Sequence, residues 1–237
     1  MAPSKKKQEA LKEEKDWQRI DQAVVRSENF IEKNQKVLLI GLGVILLIVA
    51  AFFAYKYLYL KPKNEEAQTA MFRGEQYFEE GKDSLALYGD GNEFIGFEEI
   101  ADSYGSTNAG NLAKAYAGIS NARMGNYEKA IEYLKSYKGK DEIFAYQAKV
   151  TLGDCYANTG NLEEAVKLFE TAAKKADNDL YSPIYYKKAA LVYRELKNYD
   201  KVIELFTIVK DNYPQSSAAF EGQKYVEEAK ILKGGAK

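Results

Sequence analysis

Nineteen consecutive residues without a charge, Val37 to Tyr55 (VLLIGLGVILLIVAAFFAY), sit between Lys36 and Lys56. A helix of that length covers roughly 28 Å, close to the hydrocarbon thickness of a bilayer. A helix that is apolar all round has no face to offer water, so the segment is expected to cross a membrane. A cleaved signal sequence fits poorly. Thirty-six residues precede the segment, and its exit, AFFAYKYLYL, is aromatic and bulky where a cleavage site needs small residues. The first sixty residues contain no cysteine, so no lipidated N-terminus is available and the segment is expected to stay as an anchor.

Three parts follow from this anchor: a charged tail over 1–36, the span with its exit over 37–60, and a domain over 61–237. The tail carries nine basic residues, Lys5, Lys6, Lys7, Lys12, Lys15, Arg19, Arg26, Lys33 and Lys36. Basic residues in a short flank favour the cytoplasmic side, which places the domain across the membrane. Tyr55, Tyr57 and Tyr59 would then form the aromatic anchor on the far side. The first fifteen residues, MAPSKKKQEALKEEK, are expected to be frayed. From Asp16 to Lys36, Trp17, Ile20, Val24 and Ile31 recur at helical spacings. Two readings of that stretch stand: a helix lying in the interface with Trp17 and Phe30 at headgroup level, or a docking helix for a partner. Ala50 and Ala54 make a small-xxx-small pair that chance explains better than helix pairing does.

Composition removes several function classes. The chain has no histidine, which excludes Ser-His-Asp and Cys-His nucleophile systems, histidine zinc sites and histidine general bases. From Lys61 onward 28 acidic residues outnumber 24 basic ones, the opposite of what a nucleic-acid binder shows. The single cysteine, Cys155, has no partner for an intramolecular disulfide. Paired glutamates at 79–80, 98–99 and 163–164 read as solvated helix surface, so no enzyme activity, cofactor or metal is expected.

After Pro62 the chain repeats itself. In AYQAKVTLGDCYANTGNLEEAVKLFETAAKKA, Leu152, Gly153 and Tyr156 are followed by Gly160 and Leu162, then by Ala165 and Phe169. Thirty-five residues earlier Ala117, Gly118, Gly125, Tyr127, Ala130 and Leu134 fill the same slots. Thirty-seven residues later come Ala189, Ala190, Tyr193, Tyr199, Val202 and Phe206, with Pro214 closing the unit. Small residues belong where two helices cross closely, aromatic ones in the seam between them, and Gly125 and Gly160 just past a helix end, where positive φ suits glycine. A degenerate unit precedes these, with Gly74, Tyr77 and Gly81 in the slots of Gly153, Tyr156 and Gly160. Its second helix is expected over FIGFEEIADSYG, and SLALYGDGN (84–92) reads as an inserted loop, either plain or in contact with a partner. At the C-terminus Ala219, Val226, Ala229 and Leu232 make one apolar stripe of a capping helix.

The three phased units resemble the tetratricopeptide repeat family, over roughly residues 65–233. The whole layout, including the SENFIEKNQK lead-in to the span, also resembles the YfgM-like family of ancillary Sec translocon subunits. The expected fold is all-α: one transmembrane helix, then an α-solenoid of about four helix pairs and a capping helix. The repeat resemblance implies a groove lined by the first helix of each pair. Here that is Leu112, Ala115, Ile119, Ala122 and Arg123, then Val150, Asp154, Ala157 and Asn158, then Ile184, Lys187, Leu191, Arg194 and Glu195. Such a lining suits an extended or helical segment of another protein. The other reading of the groove is that it packs on the chain's own N-terminal helix or is solvated.

The translocon resemblance implies a single-pass bacterial inner-membrane scaffold with a periplasmic repeat domain. Its implied partners are translocon subunits, a periplasmic chaperone or secreted chains, beside the bilayer itself. A scaffold for envelope assembly or cell division is the alternative, and with reversed topology the array would be a cytosol-facing receptor. Nucleic acid is not an expected partner.

Overall fold

The computed structural model describes residues 5–139 and 144–235, and all regular structure among them is helical. Two compact units divide the chain, residues 1–59 and 60–237.

The first unit is one 50-residue helix, α1 (Lys5–Ala54), leading into a π-helical turn at Tyr55–Leu60. The frayed start is corrected from Lys5 onward: KKKQEALKEEK is charged, but nearly all of it is strong helix former, with no glycine or proline to break the ladder. The interfacial stretch and the span likewise share a single helix. Residues 1–4 and the side chains of Ile20, Val24, Phe30 and Ile31 lie outside the described residues, while Trp17 is 67% exposed. The apolar stretch has a mean hydropathy of 3.1 over its best 18-residue window, none of it buried, so among the described residues one helix is long and apolar enough to cross a membrane. In its exit, Phe53 stacks on Tyr57 with ring centres 6.0 Å apart and Tyr55 on Tyr59 at 5.4 Å.

The second unit begins with α2 (Lys61–Glu79), α3 (Asp83–Tyr88) and α4 (Phe97–Ser103). Three further pairs follow: α5 (Asn108–Arg123) with α6 (Tyr127–Ser136), α7 (Phe144–Asn158) with α8 (Leu162–Ala176), and α9 (Ser182–Glu195) with α10 (Tyr199–Asn212). The last helix is α11 (Ser217–Gly235).

One turn recurs four times. Gly81, Gly125, Gly160 and Lys197 each adopt positive φ just past a first helix. The next residue's N–H reaches back over the helix end in every case: Lys82 to Tyr77, Asn126 to Asn121, Asn161 to Tyr156 and Asn198 to Tyr193, at 2.8–2.9 Å. These bonds satisfy carbonyls the helix leaves open and reverse the chain within three residues. Lys197 carries a side chain at φ +57 where the other three are glycine. Lys197→Gly is therefore expected to raise stability by roughly 1 kcal/mol, and Gly160→Ala to lower it by a similar amount. Urea titration of both variants against the parent chain checks the two signs.

Packing repeats as well. A Cβ on Gly118 would sit 2.5 Å from Leu134, one on Gly153 2.6 Å from the Phe169 ring, and one on Gly222 2.5 Å from Phe206. Gly74 occupies the corresponding place against the rings of Phe94 and Phe97, so the degenerate first unit is built like the others. The slot of Tyr156 and Tyr193 is filled in the second unit by Asn121, fully buried. Its amide donates to Glu98 at 2.9 Å, and Glu98 also accepts from Lys129 at 2.7 Å, tying α4, α5 and α6 together.

The expected loop over 84–92 is corrected in part. Its first half is α3, and the second helix of the pair starts at Phe97 rather than Phe94. What remains is held by Asp90, whose carboxylate accepts the N–H groups of Asn92, Glu93 and Phe94 at 3.0–3.1 Å and the Tyr77 hydroxyl at 3.0 Å. Arg73 stands 3.3 Å away. The backbone N–H bonds, from Asn92 first, hold the Asp90 carboxyl down at about 2. A depressed carboxyl stabilises the fold above its unfolded value, and that contribution is lost as the pH falls through the folded one. Protection of the loop amides is thus expected to persist through pH 4 and to disappear towards pH 2, which amide exchange across an acid titration measures.

In α11 the buried face is Ala218, Gly222 and Ala229, not the full stripe read from the sequence. Ala219 and Val226 are half-buried and Leu232 is 41% exposed. The register follows Gly222, the one residue of the helix that lets the Phe206 ring approach so closely.

Candidate protein-binding face

The first helices α2, α5, α7, α9 and α11 touch one another through side chains, and those contacts fall into two sections. Between α2, α5 and α7 the contacts are aromatic. Phe78 meets Tyr116 edge-on at 4.8 Å, Tyr116 stacks on Phe97 at 4.7 Å and leans against Phe144 at 5.1 Å. Arg123 covers the outer end, its guanidinium 4.1 Å from the Phe78 ring centre and 3.4 Å from the Asp83 carboxylate. Burial, with Glu75 and Glu79 adjacent, pushes the Tyr116 phenol up to about 12. Burial also raises the Glu75 carboxyl, against a hydrogen bond from Tyr116 that lowers it.

From α7 onward the contacts are ionic. Lys188 pairs with Asp154 at 2.6 Å, Lys187 with Glu221 at 2.6 Å and Arg194 with Glu228 at 3.6 Å. Each pair joins residues 34 positions apart, the length of one repeat. Arg194 also lies 5.5 Å from the Tyr225 ring centre. The Lys187 bond holds the Glu221 carboxyl below its ordinary value.

This arrangement sorts the eight groove positions named from the sequence. Ile119 and Val150 are 2% and 6% exposed and belong to the packed core, because each is closed in by its own second helix and by the first helix of the next unit, which leaves little apolar surface for a groove. Arg123, Asp154, Lys187 and Arg194 reach the face but are held in ion pairs with neighbouring elements. Leu191 is half-buried. Asn158 is exposed, and its amide donates to the Asp154 carbonyl one turn back. Sequence reasoning missed the aromatic section and the ion-pair ladder. The ladder had a readable signal, opposite charges recurring at the repeat period.

Beside the ladder, a cavity of about 220 Å³ opens among Tyr146, Gln147, Lys175, Ala176, Asn178, Tyr181 and Tyr185. Tyr181 and Tyr185 stack at 6.0 Å and line it. No group of three metal-ligating side chains occurs among the described residues. Cys155 is buried, and that burial pushes its thiol up to about 12, far from a reactive thiolate.

A tetratricopeptide repeat family model matches residues 122–191, and a second one matches residues 186–216. Residues 122–216 carry tetratricopeptide repeats. The matches take in the last turn of α5 and everything from there to the end of α10. The first unit lies outside them, and its Gly74 and Gly81 repeat the crossing and turn geometry of the later units. No curated protein matches the chain. Tetratricopeptide repeats mediate binding between proteins, and the α2–α5–α7 section offers the chemistry for it, aromatic area beside a cation.

Proposed function

We propose that this chain is a membrane-anchored scaffold that holds other proteins beside the translocation machinery of a bacterial inner membrane. Its N-terminal tail lies in the cytoplasm and its repeats in the periplasm. Its partners are translocon subunits, a periplasmic chaperone or emerging secreted chains. The observation that carries the reading is a repeat array preceded by a single helix apolar enough to span a bilayer, with basic residues ahead of it. The layout's resemblance to ancillary Sec translocon subunits supports the choice of partner.

The partner lies along the first helices, with Asn158 and Leu191 in contact and Arg123 at the aromatic end. Lys187 and Arg194 serve there chiefly by fixing α9 against α11. A photo-crosslinking residue placed at Asn158, which bonds within its own helix alone, tests this in living cells. The expected capture is a translocon subunit or a periplasmic chaperone, with none from a control at Lys167 on α8. Capture of cytosolic proteins alone overturns the orientation and the function with it.

A further inference from the structure

The outer side of α11 carries a pattern that neither the repeat packing nor the binding face uses. Ala218, Gly222 and Ala229 face the core, and Glu221 and Glu228 reach across to α9. On the remaining side Phe220, Lys224, Glu227 and Ile231 follow one another at spacings of four, three and four. All four are exposed, Phe220 at 72% and Ile231 at 73%. Spacings of four and three put residues in one line down a helix, the seam of a two-helix coiled coil.

That seam is its own complement. Turned end for end, Phe220 meets Ile231 and Lys224 meets Glu227, and a two-fold axis between residues 225 and 226 makes every contact twice. Large apolar groups at both ends of an exposed line, with opposite charges between them, are poor composition for a solvated cap. They are what an isologous pairing of two copies requires. The central charges fix direction: a parallel pairing sets Lys224 against Lys224 and Glu227 against Glu227. Glu227 already has Lys230 at 3.1 Å, but an exposed pair within one helix contributes little and yields readily.

We propose that α11 is a dimerisation helix, pairing antiparallel with α11 of a second copy through Phe220, Lys224, Glu227 and Ile231. One helix pair is smaller than a standard protein interface. Association is therefore strongest between copies anchored in one membrane, where tethering raises their effective concentration.

The full chain in detergent micelles, followed by sedimentation equilibrium over a micromolar concentration series, tests it. The parent chain is expected to dimerise. Lys224→Glu and Glu227→Lys each place two like-charge contacts in the seam, and each is expected to weaken the dimer by roughly tenfold or more. A mixture of the two variants restores both contacts, so the mixed dimer is expected to form as readily as the parent one. That recovery also shows both variants folded. A monomeric parent chain overturns the proposal. So does a dimer untouched by either reversal, which would pair elsewhere, or two variants that fail to recover on mixing.

Discussion

Phe169→Ala is expected to remove about 3–5 kcal/mol of folding free energy. The ring is 1% exposed and fills the seam between α7 and α8, in the same cluster as Val166, Tyr186, Ala190 and Val202. The space it leaves is refilled only in part, because the residue opposite is Gly153, which has no side chain to turn inward and whose backbone is held in α7. A domain of this size is stable by roughly 5–15 kcal/mol, so the loss is a large share of the whole. Urea unfolding of the full chain should show the midpoint falling sharply for Phe169→Ala and scarcely moving for Phe72→Ala, whose ring is exposed. Equal effects at the two positions would mean that the seam is not the source of stability.

The same contact predicts a coupling. Gly153→Ala places a methyl group 2.6 Å from the Phe169 ring and should destabilise on its own. Gly153→Ala combined with Phe169→Leu should be less damaging than the sum of the two changes, since the smaller side chain leaves room for the methyl.

That pair of residues also explains why so much of the fold was readable. Gly153 and Phe169 are sixteen positions apart, as are Gly118 and Leu134, and each pair records one helix crossing. A small residue facing a large one leaves the same trace in the chain wherever the crossing recurs. Turns marked by Gly81, Gly125 and Gly160 are equally local, since positive φ selects glycine directly. Lys197 shows the limit of that signal, because the fourth turn keeps the geometry without the residue that marks it.

The binding face was less legible for a physical reason. Ile119 and Val150 were assigned to a groove by their place in the repeat, yet a solenoid helix packs on its own partner and on the units beside it, and both residues fall in the core shared with the following unit, Ile119 in a cluster with Leu134 and Leu152 and Val150 in one with Phe169 and Tyr185. Lys187 and Arg194 looked like free cations because their partners, Glu221 and Glu228, lie one repeat further on. Tyr116 gave no sign at all of its role, since its three ring contacts come from α2, α4 and α7. Contacts within a unit can be read from spacing; of those between units the ion-pair ladder leaves such a trace at the repeat period, whereas the aromatic contacts depend on how one unit is set against the next.

The loop between α3 and α4 supplies the second large effect. Gly89 and Gly96 run past each other so closely that a Cβ on Gly96 would overlap the Leu87 carbonyl oxygen, and one on Gly89 the Phe94 carbonyl oxygen. Both obstacles are backbone, which cannot rotate away, and both residues have positive φ, 86° and 94°. Gly96→Ala thus combines a disfavoured backbone region with an overlap that only loop movement relieves, together about 2–5 kcal/mol. Gly91, in the same loop with φ 75° and open space around it, isolates the first term, and Gly91→Ala should lose roughly 1 kcal/mol. The difference matters because the crossing holds Phe94 in place, and Phe94 fills against Gly74 the slot that Phe169 fills against Gly153. If Gly96→Ala destabilises no more than Gly91→Ala, the crossing does not hold that ring and the first unit is stabilised from elsewhere. If it destabilises by the full amount, the insertion is the device that lets a unit with a short second helix close its core.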